Sequence, residues 1–426
     1  MSTVTARSFK PPGFASRLGA VNVLIVGSGG REHALAWKLA QSDDLEEFHA
    51  APGNPGIAGL GRCHPIRVDD VEGLLGLCRQ HEIDLVVVGP EAPLVAGVAD
   101  NLRRAGVAVF GPGAEAARIE GSKSFAKEVM RAAGVPTAEE LIEAHAPCVV
   151  KADGLAAGKG VFVCRKEAEV KVALKRARAL GGSIVVEELL EGEEVSLFAL
   201  TDGVETVPLA PAQDFKRLRD FDEGPNTGGM GSYSPVPFLA PDELDELVET
   251  IHRPVIAELT ARGTPFVGLL YAGLMLTADG PRVLEFNCRF GDPETQAIVP
   301  RLEGDFLGAL AGAATGALGG IDLAAGPQAA VTVVLAAAGY PEAPEAGTAI
   351  GGLDDLDPEN VLVFHAGTAL RNGRLVSAGG RVLNVTGIGA TVADARDRAY
   401  AAIEQIDFPG ARFRRDIALK AVRVPG

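Results

Sequence analysis

The tightest constraint on this chain is a unit that recurs within its first 120 residues: a short apolar run that stops at a glycine turn. Residues 21–26 run apolar into Gly27-Ser28-Gly29-Gly30, and a helical stretch then extends through Ala40. Residues 84–88 and 107–110 are further runs, each ending in a Gly-Pro turn. Strand, glycine turn and helix in alternation predict βαβ units and a parallel sheet. Ligands of such sheets bind beyond the carboxyl ends of the strands, where Gly27–Gly30, Gly89-Pro90-Glu91 and Gly111-Pro112-Gly113 fall.

The chain is too long for that unit alone. Its 426 residues, at roughly 100–200 per domain, predict two to four domains. A hydrophobic share of 47% with 23% charged residues is that of a soluble globular protein. No apolar run reaches the roughly 18 residues of a membrane span; the best candidate, 329–338, is strand-sized. The net charge of −16 argues against nucleic acid or an anionic membrane as the main partner. Phosphates would then be held by local Lys, Arg and backbone N–H groups. Cys63, Cys78, Cys148, Cys164 and Cys288 are widely spaced without C-x-x-C pairs, which fits a reducing cytoplasm. Residues 1–20 lack a long apolar segment and read as a disordered extension.

From Ser122 the pattern changes. Ser122 is a good N-cap, residues 123–133 read as a helix, Gly134 as its C′ residue and Pro136 as the stop. Strands then dominate, at 148–151, 161–164, 184–188 and 195–200, with one helix between the second and third. Residues 211–237 read as a long loop. A helix at 242–261, strands at 271–277 and 282–289, and a final α/β unit follow. The last unit has strands at 330–336, 362–365 and 381–385 and a helix opened by the capping box Thr391-x-x-Asp394.

Four constellations carry chemistry. The Gly27–Gly30 turn before Arg31-Glu32-His33 is either a phosphate cradle at a helix start or a tight turn without a ligand. As a dinucleotide fingerprint it fails, because Glu32 stands where the third glycine belongs. His33 reads as a packed helix residue ahead of a ligand contact. In Lys151-Ala-Asp153-Gly154-Leu-Ala-Ala-Gly158-Lys159-Gly160 the glycines are misplaced for a P-loop and Gly160 replaces its Ser/Thr. Lys151 ends an apolar strand, so it either needs an anion partner or is a solvated hairpin lysine. Lys123, in the first turn of its helix, makes sense if an anion sits there. Residues 213–231, with Gln213-Asp214-Phe215-Lys216-Arg217 and Gly224-Pro-Asn226-Thr227-Gly228-Gly229-Met230-Gly231, form a surface or binding loop, and binding is favoured.

The fourth stretch is Val283-Leu-Glu285-Phe-Asn287-Cys-Arg289-Phe-Gly291-Asp292-Pro293-Glu294. Its period of two places Glu285, Asn287 and Arg289 on one face and Phe286, Cys288 and Phe290 on the core face, which makes Cys288 a packed thiol. Glu285 and Asn287 are hard oxygen donors suited to magnesium. Arg289 suits a carboxylate or phosphate.

These stretches, with Ile184-Val-Val-Glu187-Glu188-Leu-Leu-Glu-Gly-Glu193-Glu194, resemble the ATP-grasp enzymes. Within that superfamily the chain resembles the phosphoribosylamine–glycine ligase family of de novo purine synthesis. Gly27–Ala34, Gly89-Pro-Glu-Ala-Pro-Leu-Val95, Glu120-Gly-Ser-Lys123 and His365-Ala-Gly-Thr368 match the same family, over about residues 21–420. The resemblance implies an α/β chain in which an ATP-grasp fold follows a Rossmann-like parallel-sheet domain (21–121) and precedes a small α/β domain (329–426). The ATP-grasp part would divide into a small lobe or lid (122–210) and a central lobe with the metal site (211–328). The implied co-substrate is ATP with Mg2+ or Mn2+, and the implied partners are small molecules, glycine and 5-phosphoribosylamine, bound by a cytoplasmic monomer.

By resemblance, Lys123, Lys151 and Gly158 contact ATP phosphates, Glu187, Glu188 and Leu190 belong to the strand that meets adenine, and Glu194 meets the ribose. Glu285 and Asn287 are the metal ligands. Arg289, Asp292, Asp214 and Asn226, Thr227, Gly228 and Gly229 face glycine and the acyl phosphate, with Arg289, Asp292, Asp214 and Lys151 as the catalytic set. Gly29, Gly30, Glu32, Pro90 and Glu91 line the phosphoribosylamine site. The chain departs from relatives at Phe215, where they commonly carry His, in a short 179–183 connection, and in a trimmed 143–147 segment. Residues 271–277 supply no further carboxylate. The alternatives are another ATP-grasp ligase or carboxylase, a nicotinamide-dependent oxidoreductase, which the missing third glycine opposes, and a non-catalytic nucleotide-binding regulator, which would have lost a metal ligand.

Overall fold

The computed structural model describes residues 20–155 and 160–422. Gly158 and Lys159 of the expected phosphate turn lie outside the described residues, as does nearly all of the N-terminal extension. The first sheet is parallel throughout, in the order Arg62–Cys63, Leu45–Pro52, Val21–Gly27, Leu85–Val88, Ala108–Phe110. The order reverses at Val21–Gly27, which puts the Gly27–Gly30 turn and the Pro90-Glu91 turn at the switch point of the sheet.

The Lys123–Ala133 helix starts at Ser122, whose hydroxyl accepts the Phe125 N–H, and ends at Gly134 with φ +69°. A small antiparallel sheet follows, Val161–Cys164, Cys148–Ala152 and Ile184–Glu188, with its own core of Cys148, Val150, Cys164, Val170 and Ala177. Strands Glu193–Thr201 and Thr206–Asp214 belong instead to a large antiparallel sheet, so the change of sheet falls between Glu188 and Glu193, ahead of residue 210. That sheet has eight strands, ordered Gly280–Asn287, Gly268–Thr277, Glu193–Thr201, Thr206–Asp214, Gly231–Ser234, Ala329–Ala336, Arg381–Gly389, Val361–His365. The C-terminal unit therefore continues the same sheet.

The expected 211–237 loop is corrected by this pairing. Residues up to Asp214 continue a strand, Arg217–Arg219 pairs with Glu223–Asn226, and Gly231–Ser234 lies inside the large sheet. Polar Ser232 and Ser234 are fully buried there, and Ser234 Oγ is tied to Pro211 O and Arg301. A Cβ at Gly231 would stand 2.7 Å from Thr332 O and from Ile417, so only glycine fits between those strands. Buried serines and glycines look like loop in a sequence. Helix Phe306–Thr315 shows the opposite case: it is buried on nearly every side, so it has no polar face to give a period.

Two cores bind the first sheet to the large one. Leu24, Val26, Val86 and Val88 share a cluster with Phe125, Leu270, Phe286 and Cys288; Ile25, Val87 and Phe110 share another with Phe198, Tyr271, Phe290 and Phe306. No helix among the described residues is long and apolar enough to cross a membrane.

Candidate active site

The glycine turn of the first sheet is where three parts of the chain meet. A Cβ on Gly30 would collide with Asn384 Nδ2 and stand 2.7 Å from Gln296 Nε2. Asn54 bridges Ser28 O (2.9 Å) and His365 O (2.8 Å). His33 Nδ1 accepts the His365 N–H at 2.8 Å, and its ring packs edge-on against Phe364 and His365. Burial, helped by His365, holds the His33 imidazole down at about 3, so it is a neutral packed histidine. Glu32 takes the place that a third glycine would hold: its buried carboxylate accepts the Gly29 N–H at 2.5 Å and pairs with Arg31 at 2.6 Å. An anion already occupies this N–H, and the anion belongs to the chain.

Arg289, placed just past the Gly280–Asn287 strand, reaches back to the first sheet. Its Nε lies 3.2 Å from Glu91 Oε2 and its Nη2 2.8 Å from Glu120 Oε1. Burial opposes the charge on Arg289, but Glu120 and Glu91 raise its pKa further above the usual value. Burial likewise opposes ionisation of Glu91, yet Arg289 and Arg31 hold it down at about 2. Glu120 also accepts the Cys288 N–H at 2.8 Å, locking the strand end, while burial pushes the Cys288 thiol well above its usual range. Phe286, Cys288 and Phe290 are all buried, which leaves the opposite face to Glu285 and Asn287.

On that face Lys216 is the hub. Its ammonium stands 3.0 Å from Glu194, 3.9 Å from Glu285 and 4.0 Å from Asp214. Burial works against this charge, but the carboxylates, Asp214 first, raise it well above its ordinary value. One ammonium does not neutralise three carboxylates. Burial pushes Asp214, the most buried of them, up to about 8 with Glu294, Glu194 and Glu285 nearby, against the pull of Lys216. Burial also pushes Glu285 up, but Lys216, Lys151 and Lys123 outweigh it, so that carboxyl is lowered and ionised. An ionised carboxylate held loosely by its cation, beside an amide on the same face, fits a hard divalent ion.

The lysines have partners within the chain. Lys151 Nζ is 2.5 Å from Glu187 Oε2 and donates to Leu284 O at 2.9 Å; Lys127 holds the other Glu187 oxygen at 2.8 Å. The anion expected for Lys151 is Glu187, so Glu187 positions that lysine and its carboxylate is not free for nucleotide. The anion expected at the Lys123 helix start is Asp153, which accepts the Lys123 N–H at 2.6 Å and the hydroxyls of Ser124 (2.6 Å) and Ser183 (2.9 Å). Lys123 Nζ donates to Gly154 O at 3.0 Å and burial lowers its pKa. Glu188 accepts the Glu139 N–H at 2.9 Å, Leu190 is half-buried at the turn beyond that strand, and Pro90 is the N-cap of the Glu91–Val95 helix.

The glycine loop is pinned from the far end of the chain. Arg381 donates to Gly228 O at 2.5 Å and Asp292 O at 2.8 Å, and pairs with the Asp292 carboxylate at 3.0 Å. Burial opposes ionisation of Asp292, but Arg381 and Arg31 keep it below the usual carboxylate range. Thr227 Oγ1 accepts the Gly229 N–H at 3.0 Å, and Asn226 Nδ2 reaches Val161 O of the small sheet at 3.3 Å. Phe215 is buried against Tyr233 beneath the Arg414 guanidinium, a core position. Glu120 and Lys216 lie within motifs whose local sequence assigns neither of them a role. Lys127 and Arg381 carried no local signal.

The same order of parts is found in known proteins. Residues 21–120, 121–295 and 330–420 match the N domain, the ATP-grasp (A) domain and the C domain of phosphoribosylglycinamide synthetase. The chain is 51% identical to phosphoribosylamine–glycine ligase of Streptomyces coelicolor, covering 94% of this chain and 99% of that protein. It is 48% identical to its counterpart in Mesorhizobium japonicum, with the same coverage. The crystal structure of phosphoribosylamine–glycine ligase from Thermotoga maritima superposes with a TM-score of 0.81 at 37% identity, over 93% of this chain and all of that one. A biotin carboxylase domain from Hydrogenobacter thermophilus, TM-score 0.69 at 17% identity over 92% of this chain and 91% of that one, shares the fold. With three domain matches in order and near-complete relatives at about half identity, the chain belongs to the phosphoribosylglycinamide synthetase family.

Proposed function

We propose that this protein joins glycine to 5-phosphoribosylamine with ATP, through glycyl phosphate, giving glycinamide ribonucleotide, ADP and phosphate. The observation that carries this reading is Arg289: it joins the first-sheet turn at Glu91 to the strand bearing Glu285 and Asn287. A site for a phosphorylated amine and a site for phosphoryl transfer thereby become neighbours.

In this scheme Lys123, Lys151 and Gly158 hold ATP phosphates. Among the described residues Lys151 gives two of its three N–H donors, to Glu187 and Leu284, which leaves the third for an oxygen. The backbone of Glu187, Glu188 and Leu190 receives adenine and Glu194 the ribose. Glu285 and Asn287 hold magnesium or manganese, which supplies neutralisation of phosphate charge. The glycine carboxylate takes the γ-phosphoryl group from ATP. The amine nitrogen then attacks the carbonyl carbon, the C–O bond to phosphate breaks, and phosphate leaves with the electron pair while the amine loses a proton. Positioning and charge neutralisation do this work, without a nucleophilic side chain. Arg289, Asp292, Asp214 and the Asn226–Gly229 loop orient glycine and the acyl phosphate. Gly29, Gly30, Glu32, Pro90 and Glu91 line the phosphoribosylamine site, Glu32 by fixing the turn and not by offering a free carboxylate.

A coupled ADP-release assay with glycine and freshly made phosphoribosylamine, omitting each in turn, tests this. ADP should appear at full rate only with both. Full-rate release with a different carboxylate or amine in place of either would assign the chain to another ATP-grasp reaction.

A further inference from the structure

Three of the chain's seven histidines converge at a place the proposed reaction does not use. His49 lies fully buried on the Leu45–Pro52 strand; His64 follows the short edge strand Arg62–Cys63; His81 is the C-cap of the Val71–Gln80 helix. Each offers a ring nitrogen within 4.8 Å of the others. His49 Nδ1 and His64 Nε2 stand 3.0 Å apart, and the ring of His81 lies 4.4 Å from that of His49 and 5.2 Å from that of His64. The remaining His49 nitrogen faces Glu47 Oε2 at 3.0 Å.

A neutral hydrogen-bonded chain, His64 to His49 to Glu47, accounts for two rings. It gives no reason for the third. Two imidazole nitrogens on one tetrahedral zinc, each about 2.0–2.1 Å from it, stand about 3.3 Å apart, close to the His49–His64 separation. A carboxylate on the outer nitrogen of a ligating histidine is the usual device that fixes its tautomer and orientation, and Glu47 is so placed. His64 and His81 are half-buried, so the cluster is partly reachable from solvent.

We propose that His49, His64 and His81 form a site for a zinc-class transition-metal dication, with water as the fourth ligand. The all-nitrogen donor set excludes magnesium as its natural occupant. On binding, His49 keeps its proton on Nε2 toward Glu47 and His64 moves its proton to Nδ1, so no net proton is released. The metal ties the edge of the first sheet to the end of the Val71–Gln80 helix, a structural role distinct from that of Glu285 and Asn287.

The test uses the full untagged chain, stripped with chelator and kept in excess Mg2+ so that hard-oxygen sites are filled. Zn2+ titration should show one equivalent that Mg2+ does not displace, with a rise in melting temperature of about 5 °C or more. Co2+ should give the strong visible bands of a four-coordinate site. His64→Ala and His81→Ala, both at half-buried positions, should lose the equivalent and the shift. A wild-type chain with no Mg2+-resistant equivalent and no cobalt bands overturns the site, as does an equivalent that both variants retain; the histidines would then be a hydrogen-bonded stack only.

Discussion

Glu187 holds two lysines at once, Lys151 at 2.5 Å and Lys127 at 2.8 Å, and all three side chains are buried. This arrangement fixes the ammonium of Lys151 in a direction that the strand alone would leave to its four-carbon stem. Removing one partner of a buried pair leaves an uncompensated charge, at a cost of about 3–5 kcal/mol. Glu187→Gln should therefore lower the melting temperature and raise the ATP requirement together. Lys151→Met should raise the ATP requirement and cut the rate strongly. Thermal melting with ATP saturation curves checks both; a Glu187→Gln enzyme with unchanged KM for ATP would separate Glu187 from nucleotide binding.

Glu285→Gln and Asn287→Ala should each reduce turnover by roughly two orders of magnitude or more while leaving the fold intact, because each would remove a hard-oxygen ligand from the divalent cation that these two residues would hold. Both side chains are half-buried on the open face of their strand, so neither change opens a core cavity. Rates at limiting magnesium with circular dichroism on the same samples provide the measurement. Full activity in either variant removes that residue from the metal site.

Arg381→Met should loosen Gly228 and Asp292 together, since one guanidinium holds both. The expected signature is a fall of roughly 10- to 100-fold in kcat/KM for glycine with KM for ATP nearly unchanged, the size of effect that misplaced substrate-positioning groups produce. A change confined to ATP would show that the loop serves the nucleotide instead.

The raised pKa of Asp214 gives a pH prediction. Its folded pKa of about 8 lies above the ordinary 3.8, so the folded state binds a proton that the unfolded chain has lost between those values. The stability contributed is present below pH 3.8 and is lost as pH rises toward about 8. Asp214→Asn, which mimics the protonated form, should gain on the wild type as pH is raised from 5 to 9 in ligand-free melting experiments. Melting curves that stay parallel across that range would show Asp214 to be ionised.

Local signals were legible wherever a residue's neighbours in sequence decide its role. The alternation of apolar runs with glycine turns specified the parallel sheet, because strand, turn and helix preferences act over a few residues. Period two along residues 283–290 separated Glu285 and Asn287 from Phe286 and Cys288, and Ser122 with Gly134 bounded their helix as capping rules require. Motif order also identified the family. Only the tertiary structure decided which charges meet. Arg381 lies 89 residues from Asp292, and Arg289 lies 198 and 169 residues from Glu91 and Glu120, separations at which no periodicity survives. The same holds for Lys123 and Lys151: the sequence left open whether an anion meets each, and the fold places Asp153 and Glu187 there from within the chain. Serines and glycines in the Gly231–Ser234 strand read as loop because their burial comes from neighbouring strands, at Ala329–Ala336 above all, and not from their own hydrophobicity. Backbone preference is a property of a segment, whereas the neutralisation of a buried charge depends on whatever distant group the packing brings within a few ångströms.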